Sequence, residues 1–401
     1  MSCAFPLVAG VALGLSLVYI AIRPQWGDQT WLLFAARRML DGPWCGFESL
    51  AEANPLLIIW LSAIPVAIGR ALDIRLYPPV SPMPKLSIGL PVYNGEEFLP
   101  QALDCLLAQT FGNFEFIVSD NASTDRTSQI CRDYANRDPR IRYFRNDRNL
   151  GAIANYNRTF ELSKAPLFKW AAHDDLHDRV YLENCVRLLD EDPAVVLAHS
   201  GTAFIGDDGQ AFPFDSDSGT YVDPKTGARQ KPDSPTIGDS PLAVERFRQV
   251  LAHAHWGSHM FGVIRREALR QTQLLPNFAG SDRAMLAELA LLGRFRSVPE
   301  RLYLKRFHAS TSWALDLREL KSFLSTDGRS YSRRARQIKA YFGAPSGKPV
   351  GTATKAMCTA LVAAHCVKTT ALALARREAN GHAQASVWRS KTEASAPFTP
   401  A

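Results

Sequence analysis

The chain has 401 residues, of which 46% are hydrophobic and 21% are charged, and a formal net charge of +7 at pH 7. This composition is typical of globular proteins, so most of the chain should bury a core, and the length leaves room for a catalytic domain. The mild positive charge suits anionic small molecules or an anionic membrane surface. No run of Lys and Arg with interleaved aromatic residues is present, so nucleic acid is not an expected partner.

The first 76 residues are predicted to be a membrane anchor. Residues 5–22 are apolar, with no charge before Arg23, and are just long enough to cross a bilayer. Neither a basic segment before this run nor an A-x-A site after it is present, which favours an anchor over a cleaved signal peptide. A second apolar run at 55–69 is short and contains Pro65, so it is either a second span or an interfacial helix.

Residues 77–84, YPPVSPMP, are rich in proline and are predicted to be a linker. Beyond it, strand-like runs alternate with helix-like runs, which is typical of parallel strands joined by right-handed crossovers. The predicted strands are KLSIGL (85–90), FEFIVS (114–119), IRYFR (141–145) and LFKWAA (167–172). The fold class is therefore α/β with an open, mostly parallel sheet, and ligands are expected beyond the carboxyl ends of its strands.

Seven cysteines are present, without a C-x-x-C pair or a ligand-like spacing. Three of them, Cys105, Cys131 and Cys185, lie in predicted helices among apolar neighbours. They are predicted to be buried, reduced thiols.

Three polar loops follow the first, second and fourth predicted strands. Their sequences are PVYNGEE (91–97), DNASTDRT (120–127) and HDDLHD (173–178). Because these strand ends meet at one edge of the sheet, the loops form a site for a ligand with hydroxyls, a base edge and a metal-bound phosphate. The alternative for the aspartates is a helix-capping role alone. Neither G-x-G-x-x-G nor G-x-x-x-x-G-K-[ST] is present, which disfavours dinucleotide oxidoreductases and P-loop enzymes.

The second half of the chain begins with a segment rich in Gly, Asp, Ser, Pro and Lys, residues 205–240, which is predicted to be a long surface loop. Further on, residues 352–377 are predicted to form an alanine-rich amphipathic helix, followed by a disordered tail. The region comprising residues 346–401 is therefore predicted to be a carboxyl-terminal amphipathic helix followed by a disordered tail.

Residues 86–127, beginning LSIGLPVYNGEEF and ending SDNASTDRT, together with WAAHDDL resemble the family-2 glycosyltransferases with the GT-A fold. The resemblance covers about residues 85–310 and implies a catalytic domain over 85–345, with a nucleotide-sugar half at 85–204 and an acceptor half at 205–345. It implies transfer of a sugar from a nucleotide-diphosphate donor to an acceptor hydroxyl, with inversion at the anomeric carbon.

The resemblance also implies roles for individual residues. The loop that lines the nucleoside is matched by Pro91, Tyr93 and Asn94, and the pair that reads the base and ribose by Asp120 and Asn121. The second of that pair is often Asp in the family, so the identity of the nucleotide stays open. Asp174 and Asp175 match the acidic motif that touches the ribose and binds Mg²⁺ or Mn²⁺, with Asp175 as the preferred direct ligand. Asp282 matches the catalytic base, and His308 matches a position near the donor phosphates.

The chemistry of these residue types agrees with those roles. A hard divalent cation prefers carboxylate and phosphate oxygens and needs only one or two protein carboxylates. A carboxylate such as Asp282 can take the proton of the acceptor hydroxyl. The alternative for Asp282 is a capping role for the helix that follows it. For His253, His255 and His259 the alternatives are a zinc site or an acceptor-side lining, and zinc at His173 and His177 is disfavoured by their oxygen-bearing neighbours.

The amino-terminal residues resemble the start of membrane-embedded GT-C glycosyltransferases that use lipid-linked sugars, with Asp28 at the position of a catalytic acidic residue. Such enzymes need many spans, so this part is interpreted as an anchor or a remnant. The leading hypothesis is thus a metal-dependent inverting glycosyltransferase in the inner membrane, with its catalytic domain in the cytoplasm and a glycan or lipid-linked acceptor. The alternatives are a GT-C-like transferase and a non-catalytic sugar-nucleotide-binding membrane protein.

Overall fold

The computed structural model describes residues 83–254, 256–309, 311, 323–324 and 333–371. All of them belong to Met83–Ala401, one of two units into which the chain divides. The predicted anchor with Asp28, most of the linker and the predicted tail lie outside the described residues. In the part that is described, no helix combines the length and the apolar character that a membrane span requires.

The first half is an alternation of strands and helices, as predicted. Its elements are β1 (Leu86–Val92), α1 (Leu99–Leu107), β2 (Phe114–Asp120), α2 (Thr127–Arg137), β3 (Ile141–Arg145), α3 (Ala152–Glu161) and β4 (Leu167–Trp170). β1 pairs in parallel with β2 and β4, and β2 pairs in parallel with β3. Every residue of β1, β2 and β4 is buried, because helices cover both faces of a parallel sheet.

The second half extends the same sheet. Its elements are β5 (Leu176–His177), α4 (Tyr181–Glu191), β6 (Val195–Ile205), β7 (Phe214–Asp215), β8 (Thr220–Val222), β9 (Arg229–Gln230), α5 (Ala243–His253), a 3₁₀ turn (Ser258–Phe261), β10 (Val263–Arg265), α6 (Arg266–Arg270), α7 (Ser281–Leu292), β11 (Arg294–Arg306), α8 (Arg333–Gly343) and α9 (352–371). The strand order is β3-β2-β1-β4-β10-β6-β11-β5. β6 and β11 are parallel, whereas β10 is antiparallel to both of its neighbours. The predicted α/β class with a mostly parallel sheet is confirmed.

The prediction of one long surface loop over 205–240 is wrong, because this segment forms a second, three-stranded antiparallel sheet in the order β7-β8-β9. The ring of Tyr221 on β8 is buried and lies 4.9 Å from that of Phe204. The Arg301 guanidinium lies 3.7 Å from the centre of the Phe214 ring on β7. Strands of two or three residues are too short to show an alternation of apolar and polar side chains. The composition of the segment, dominated by turn-forming residues, therefore predicted a loop.

The cysteines at the helix positions are free thiols, as predicted. Cys131 on α2 and Cys185 on α4 are buried, and Cys105 on α1 is partly buried. Burial raises the pKa of each of the two fully buried thiols to about 12, so both stay protonated and unreactive at neutral pH.

A lysine is buried in the central strand β4. The Lys169 ammonium donates a hydrogen bond to the carbonyl oxygen of Phe261 and lies 4.7 Å from the centre of the Tyr181 ring. The Tyr181 hydroxyl donates to the same carbonyl at 2.9 Å. Burial lowers the pKa of Lys169 to about 7. Lys169 therefore joins β4 to the 3₁₀ turn, and the free energy of burying its amino group depends on pH.

We predict that Lys169→Met flattens the pH dependence of stability. Above pH 7 and below about 10.4, the unfolded lysine holds a proton that the folded one has lost, so the wild-type free energy of unfolding gains up to about 1.4 kcal/mol per pH unit from this residue. Urea unfolding from pH 7 to 10 measures the difference between the two proteins. Curves that run parallel over this range would contradict the prediction.

Candidate active site

The loops after β1 and β2 are held together by hydrogen bonds. Asn94 has a left-handed backbone with φ of 49°, and its side-chain oxygen accepts the backbone N–H of Thr124 at 2.8 Å. Its own N–H donates to the Ser123 hydroxyl at 3.0 Å, and the Gly95 N–H donates to the Thr127 hydroxyl at 2.9 Å. The structure thus brings together two of the three predicted loops.

Gly95 brings the third loop against the first. A Cβ at this position would lie 2.7 Å from Cδ2 of His173 and 2.7 Å from Cγ2 of Val92. Both distances are far inside van der Waals contact, so only glycine allows the imidazole of His173 to pack against this backbone.

The three loops border a cleft of about 630 Å³ at the carboxyl ends of the strands. Seven of the predicted site residues line it: Pro91, Tyr93, Asn94, Asn121, Asp174, Asp175 and His308. The two other predicted residues, Asp120 and Asp282, are not among the described residues that line this cleft.

Asp120 supports the site from beneath. Its side chain is fully buried, and one carboxylate oxygen accepts the Tyr143 hydroxyl at 2.8 Å and the Arg145 guanidinium at 2.7 Å. The other oxygen accepts the Ser123 N–H at 2.8 Å. The neighbouring Asn121 accepts the Leu150 N–H at 2.9 Å and donates to the Asn149 side chain at 2.8 Å. These contacts give Asp120 a role in shaping the loop, and its assignment to base recognition stays a prediction.

Asp175 is joined to β11. Its two carboxylate oxygens accept hydrogen bonds from the Tyr303 hydroxyl and, at 2.9 Å, from the Arg306 backbone N–H. Only 3% of the residue is exposed. Burial, and then the charge of the adjacent Asp174, raise the pKa of Asp175.

Asp174 is the more open carboxylate of the pair. One oxygen lies 3.0 Å from Nε2 of His308, and among the described residues no donor reaches the other. Burial works against ionisation, but the charge of His173 and the hydrogen bond from His308 lower the pKa of Asp174. Asp174 is therefore a carboxylate that stays ionised at the wall of the cleft.

This donor set fits a hard divalent cation. An ionised Asp174 with a free oxygen, beside the His308 ring, provides a small number of protein ligands and leaves the remaining positions to phosphate and water. Asp175, which the sequence interpretation preferred as the direct ligand, already has both oxygens occupied by hydrogen bonds. Within the described part of the chain, no three His, Cys, Asp or Glu side chains are arranged to hold a metal by themselves.

Asp282 lies in the first turn of α7 and interacts electrostatically with Lys305 and Tyr156, which line the cleft. Burial is the main cause that raises its pKa, while the charges of Arg283 and Lys305 act in the opposite direction. Its carboxylate is in contact with Gly257, because a Cβ there would lie 1.9 Å from Oδ2 of Asp282. The position suits a base at the border of the cleft, and that role stays a prediction.

The histidines have separate structural surroundings. His177 is buried between the rings of Tyr181 and Tyr303, at centroid distances of 4.9 and 5.3 Å. His253 ends α5, and Nε2 of His259 lies 3.1 Å from the Ser234 carbonyl oxygen. His255, the third member of the zinc alternative, lies outside the described residues.

Comparison with known proteins identifies the domain. Residues 87–271 match the protein family described as "Glycosyl transferase family 2". The match covers less than half of the chain, and these residues are similar to family 2 glycosyltransferases. The predicted glycosyltransferase class of enzyme is thereby confirmed, whereas the resemblance of the first 76 residues to GT-C enzymes lies outside the match.

Two bacterial proteins illustrate what the chain is similar to. The chain is 32% identical over 123 residues to an uncharacterized glycosyltransferase of Rickettsia typhi, which covers 30% of this chain and 37% of the relative. It is 27% identical over 232 residues to the uncharacterized glycosyltransferase EpsJ of Bacillus subtilis, covering 56% of this chain and 61% of that protein. The chain thus spans less than two thirds of either relative.

Among solved structures, the UDP-GlcNAc complex of S. aureus TarS residues 1–349 has a TM-score of 0.48 and 16% identity, covering 70% of this chain and 72% of that one. A similarity of this size supports no inference about ligands.

The cleft is also lined by two basic residues at the end of β11, Lys305 and Arg306, which were not predicted. The Arg306 guanidinium is buried and donates to the carbonyl oxygens of Asp174 at 2.7 Å and Asp207 at 2.9 Å. Lys305 lines the cleft, and no described carboxylate lies within ion-pair distance of its ammonium. Its charge acts on Asp174, Asp175 and Asp282. Of residues 305–308, only His308 was a predicted site residue.

We predict that Gly95→Ala lowers the free energy of unfolding of the domain by about 1–3 kcal/mol, because the added Cβ overlaps Val92 and His173. Gly112→Ala is the matched control, since a Cβ at Gly112 meets nothing within 4 Å. Urea denaturation of both variants measures the difference. Equal stability of the two variants would show that the contact between Gly95 and His173 is not tight.

Proposed function

We propose that residues 85–345 transfer a sugar from a nucleotide-diphosphate donor to an acceptor hydroxyl, with inversion at the anomeric carbon. The observation that carries this proposal is the meeting of Asp174, His308 and Lys305 with the loops after β1 and β2 at one cleft of a domain similar to family 2 glycosyltransferases. The base edge, the ribose and the diphosphate of the donor each require different protein groups. The cleft is lined by aromatic, amide, carboxylate and cationic side chains that suit them.

The nucleoside end of the donor is assigned to the loops after β1 and β2. Tyr93 is 40% exposed and offers a ring for stacking, while Pro91 and Asn94 continue the same wall. Asn121 closes this end, and its side chain is held in place by hydrogen bonds to residues 149–151. Preformed polar groups of this kind orient a ligand with little loss of entropy.

The diphosphate end is assigned to Asp174, His308 and Lys305. Mg²⁺ or Mn²⁺ bound there would neutralise the charge that builds on the departing nucleotide diphosphate. Lys305 adds a positive charge on the same wall, and Arg306 holds the backbone of Asp174 in place from below. Asp282 takes the proton of the acceptor hydroxyl, for which its raised pKa makes it a better base than an exposed aspartate.

We further propose a membrane-bound protein whose catalytic domain faces the cytoplasm and whose acceptor is a glycan or lipid-linked glycan of the cell surface. The apolar run at 5–22 supports the membrane attachment. The supply of nucleotide sugars in the cytoplasm supports the orientation. Fractionation of cells that express the full-length chain tests this, because recovery in the soluble fraction would argue against an anchor.

We predict that Asp174→Ala abolishes stimulation by metal. Hydrolysis of UDP-, GDP- and dTDP-sugars by the full-length chain, with Mn²⁺ or with a chelator, identifies the donor and measures the stimulation. The variant should lose at least about 100-fold of the metal-supported rate, the upper end of the loss expected when even a group supporting a metal ligand is removed. Asp147→Ala is the control, because Asp147 is exposed and does not line the cleft. A wild-type rate that is unaffected by chelator would contradict the metal role.

We predict that Asp282→Asn binds donor like the wild type but transfers the sugar about 100- to 10,000-fold more slowly, because the amide cannot accept the proton. Nucleotide titration by calorimetry measures binding, and single-turnover transfer measures the rate. A variant that retained the full transfer rate would exclude Asp282 as the base.

A further inference from the structure

The predicted base Asp282 rests on a turn that precedes the 3₁₀ helix. Gly257, at the centre of this turn, has a left-handed backbone with φ of 65°. Its Cα faces the carboxylate of Asp282 so closely that a Cβ would come within 1.9 Å of Oδ2. The direction of the Asp282 carboxylate therefore depends on where this backbone lies.

A second buried aspartate fixes that backbone. One oxygen of Asp233 accepts the N–H of Trp256 at 2.9 Å, and the other accepts the N–H of Ser258 at 3.0 Å. The two bonds hold the residues on either side of Gly257. The indole N–H of Trp256 donates to the Lys231 carbonyl oxygen at 2.8 Å, which ties the turn to the same segment a second time.

We propose that Asp233 is a positioning residue for Asp282: its carboxylate holds the turn at Gly257 on which Asp282 rests. The proposal rests on the function proposed above. It assigns a role in the reaction to a residue that does not line the cleft.

Among the residues that the structure describes, four charged or titratable groups interact electrostatically with Asp282. Asp233 and burial raise its pKa, whereas Arg283 on the same helix and Lys305 on β11 lower it. The fourth is Tyr156 on α3, whose own pKa is raised by burial and by the charge of Asp282. The imidazole of His259, 3.7 Å from the Asp233 carboxylate, is kept neutral because burial lowers its pKa. Asp233 is thus the acidic group in this set that acts on the base.

The test compares Asp233→Asn with Asp239→Asn in the full-length chain. Asparagine keeps the size of Asp233 and one acceptor oxygen but removes its charge. Asp239 belongs to the same chain segment and pairs instead with Arg294 at 2.9 Å and Arg296 at 3.1 Å. The first measurements are the pH profile of kcat and the KM for whichever of the UDP-, GDP- or dTDP-sugars the wild-type chain hydrolyses. The third is the ¹³C carboxyl titration of Asp282, assigned with Asp282→Asn.

Asp233→Asn should move the rise of kcat, and the titration of Asp282, to lower pH. Its kcat at the plateau should fall about 10- to 100-fold with little change in KM, since a shift of about 1 Å in a reacting group costs up to about 100-fold. Asp239→Asn should leave both pH profiles in place. Gly257→Ala, which displaces Asp282 but keeps the charge of Asp233, should lower kcat without moving the titration toward lower pH.

An unchanged Asp282 titration in Asp233→Asn would overturn the proposal, and so would a loss of kcat equal to that of Asp239→Asn. The carboxyl titration does not depend on turnover, so it tests the coupling of Asp233 and Asp282 separately from the proposed function. A shifted titration in a chain that hydrolyses no nucleotide sugar would support the coupling of the two aspartates while the proposed function failed.

Discussion

The site depends on one buried carboxylate, that of Asp175. It accepts hydrogen bonds from the Tyr303 hydroxyl and the Arg306 N–H, so it joins the loop after β4 to the end of β11. With both oxygens satisfied, a buried carboxylate is tolerated, whereas an unpaired one would cost several kcal/mol. This connection places Lys305 and His308 opposite Asp174, although more than 100 residues separate them in the chain.

The glycosyltransferase cleft divides its carboxylates between two tasks. Asp120 and Asp175 are buried, accept hydrogen bonds with both oxygens and shape the loops around them. Under the proposed function, Asp174 and Asp282 are the carboxylates that meet ligands. The difference lies in the hydrogen-bond donors: buried N–H and O–H groups converge on the first pair, while Asp174 keeps one oxygen that no described donor reaches. Similar residues in neighbouring positions thus acquire different chemistry.

The local parts of this architecture could be predicted from the sequence. Buried strands such as FEFIVS at 114–119 have apolar and β-branched residues bounded by turns, and the polar loops follow them directly. The roles of Arg306, Lys305 and Asp233 could not be predicted, because they depend on contacts between distant segments. β11 also changes register between Val298 and Tyr303, which breaks the alternation that would have shown which side chains point into the cleft. Asp174 and Asp175 look alike in the sequence, and only their partners distinguish them.

The antiparallel strand β10 has a geometric consequence. Because it lies between β4 and β6 and opposes both, those two strands run in the same direction and end at the same edge. Two inter-strand steps separate them, about 10 Å in all. That width is comparable to one hexose ring with its hydroxyls. Under the proposed function, the sheet itself thereby sets the distance between the nucleotide side and the acceptor side.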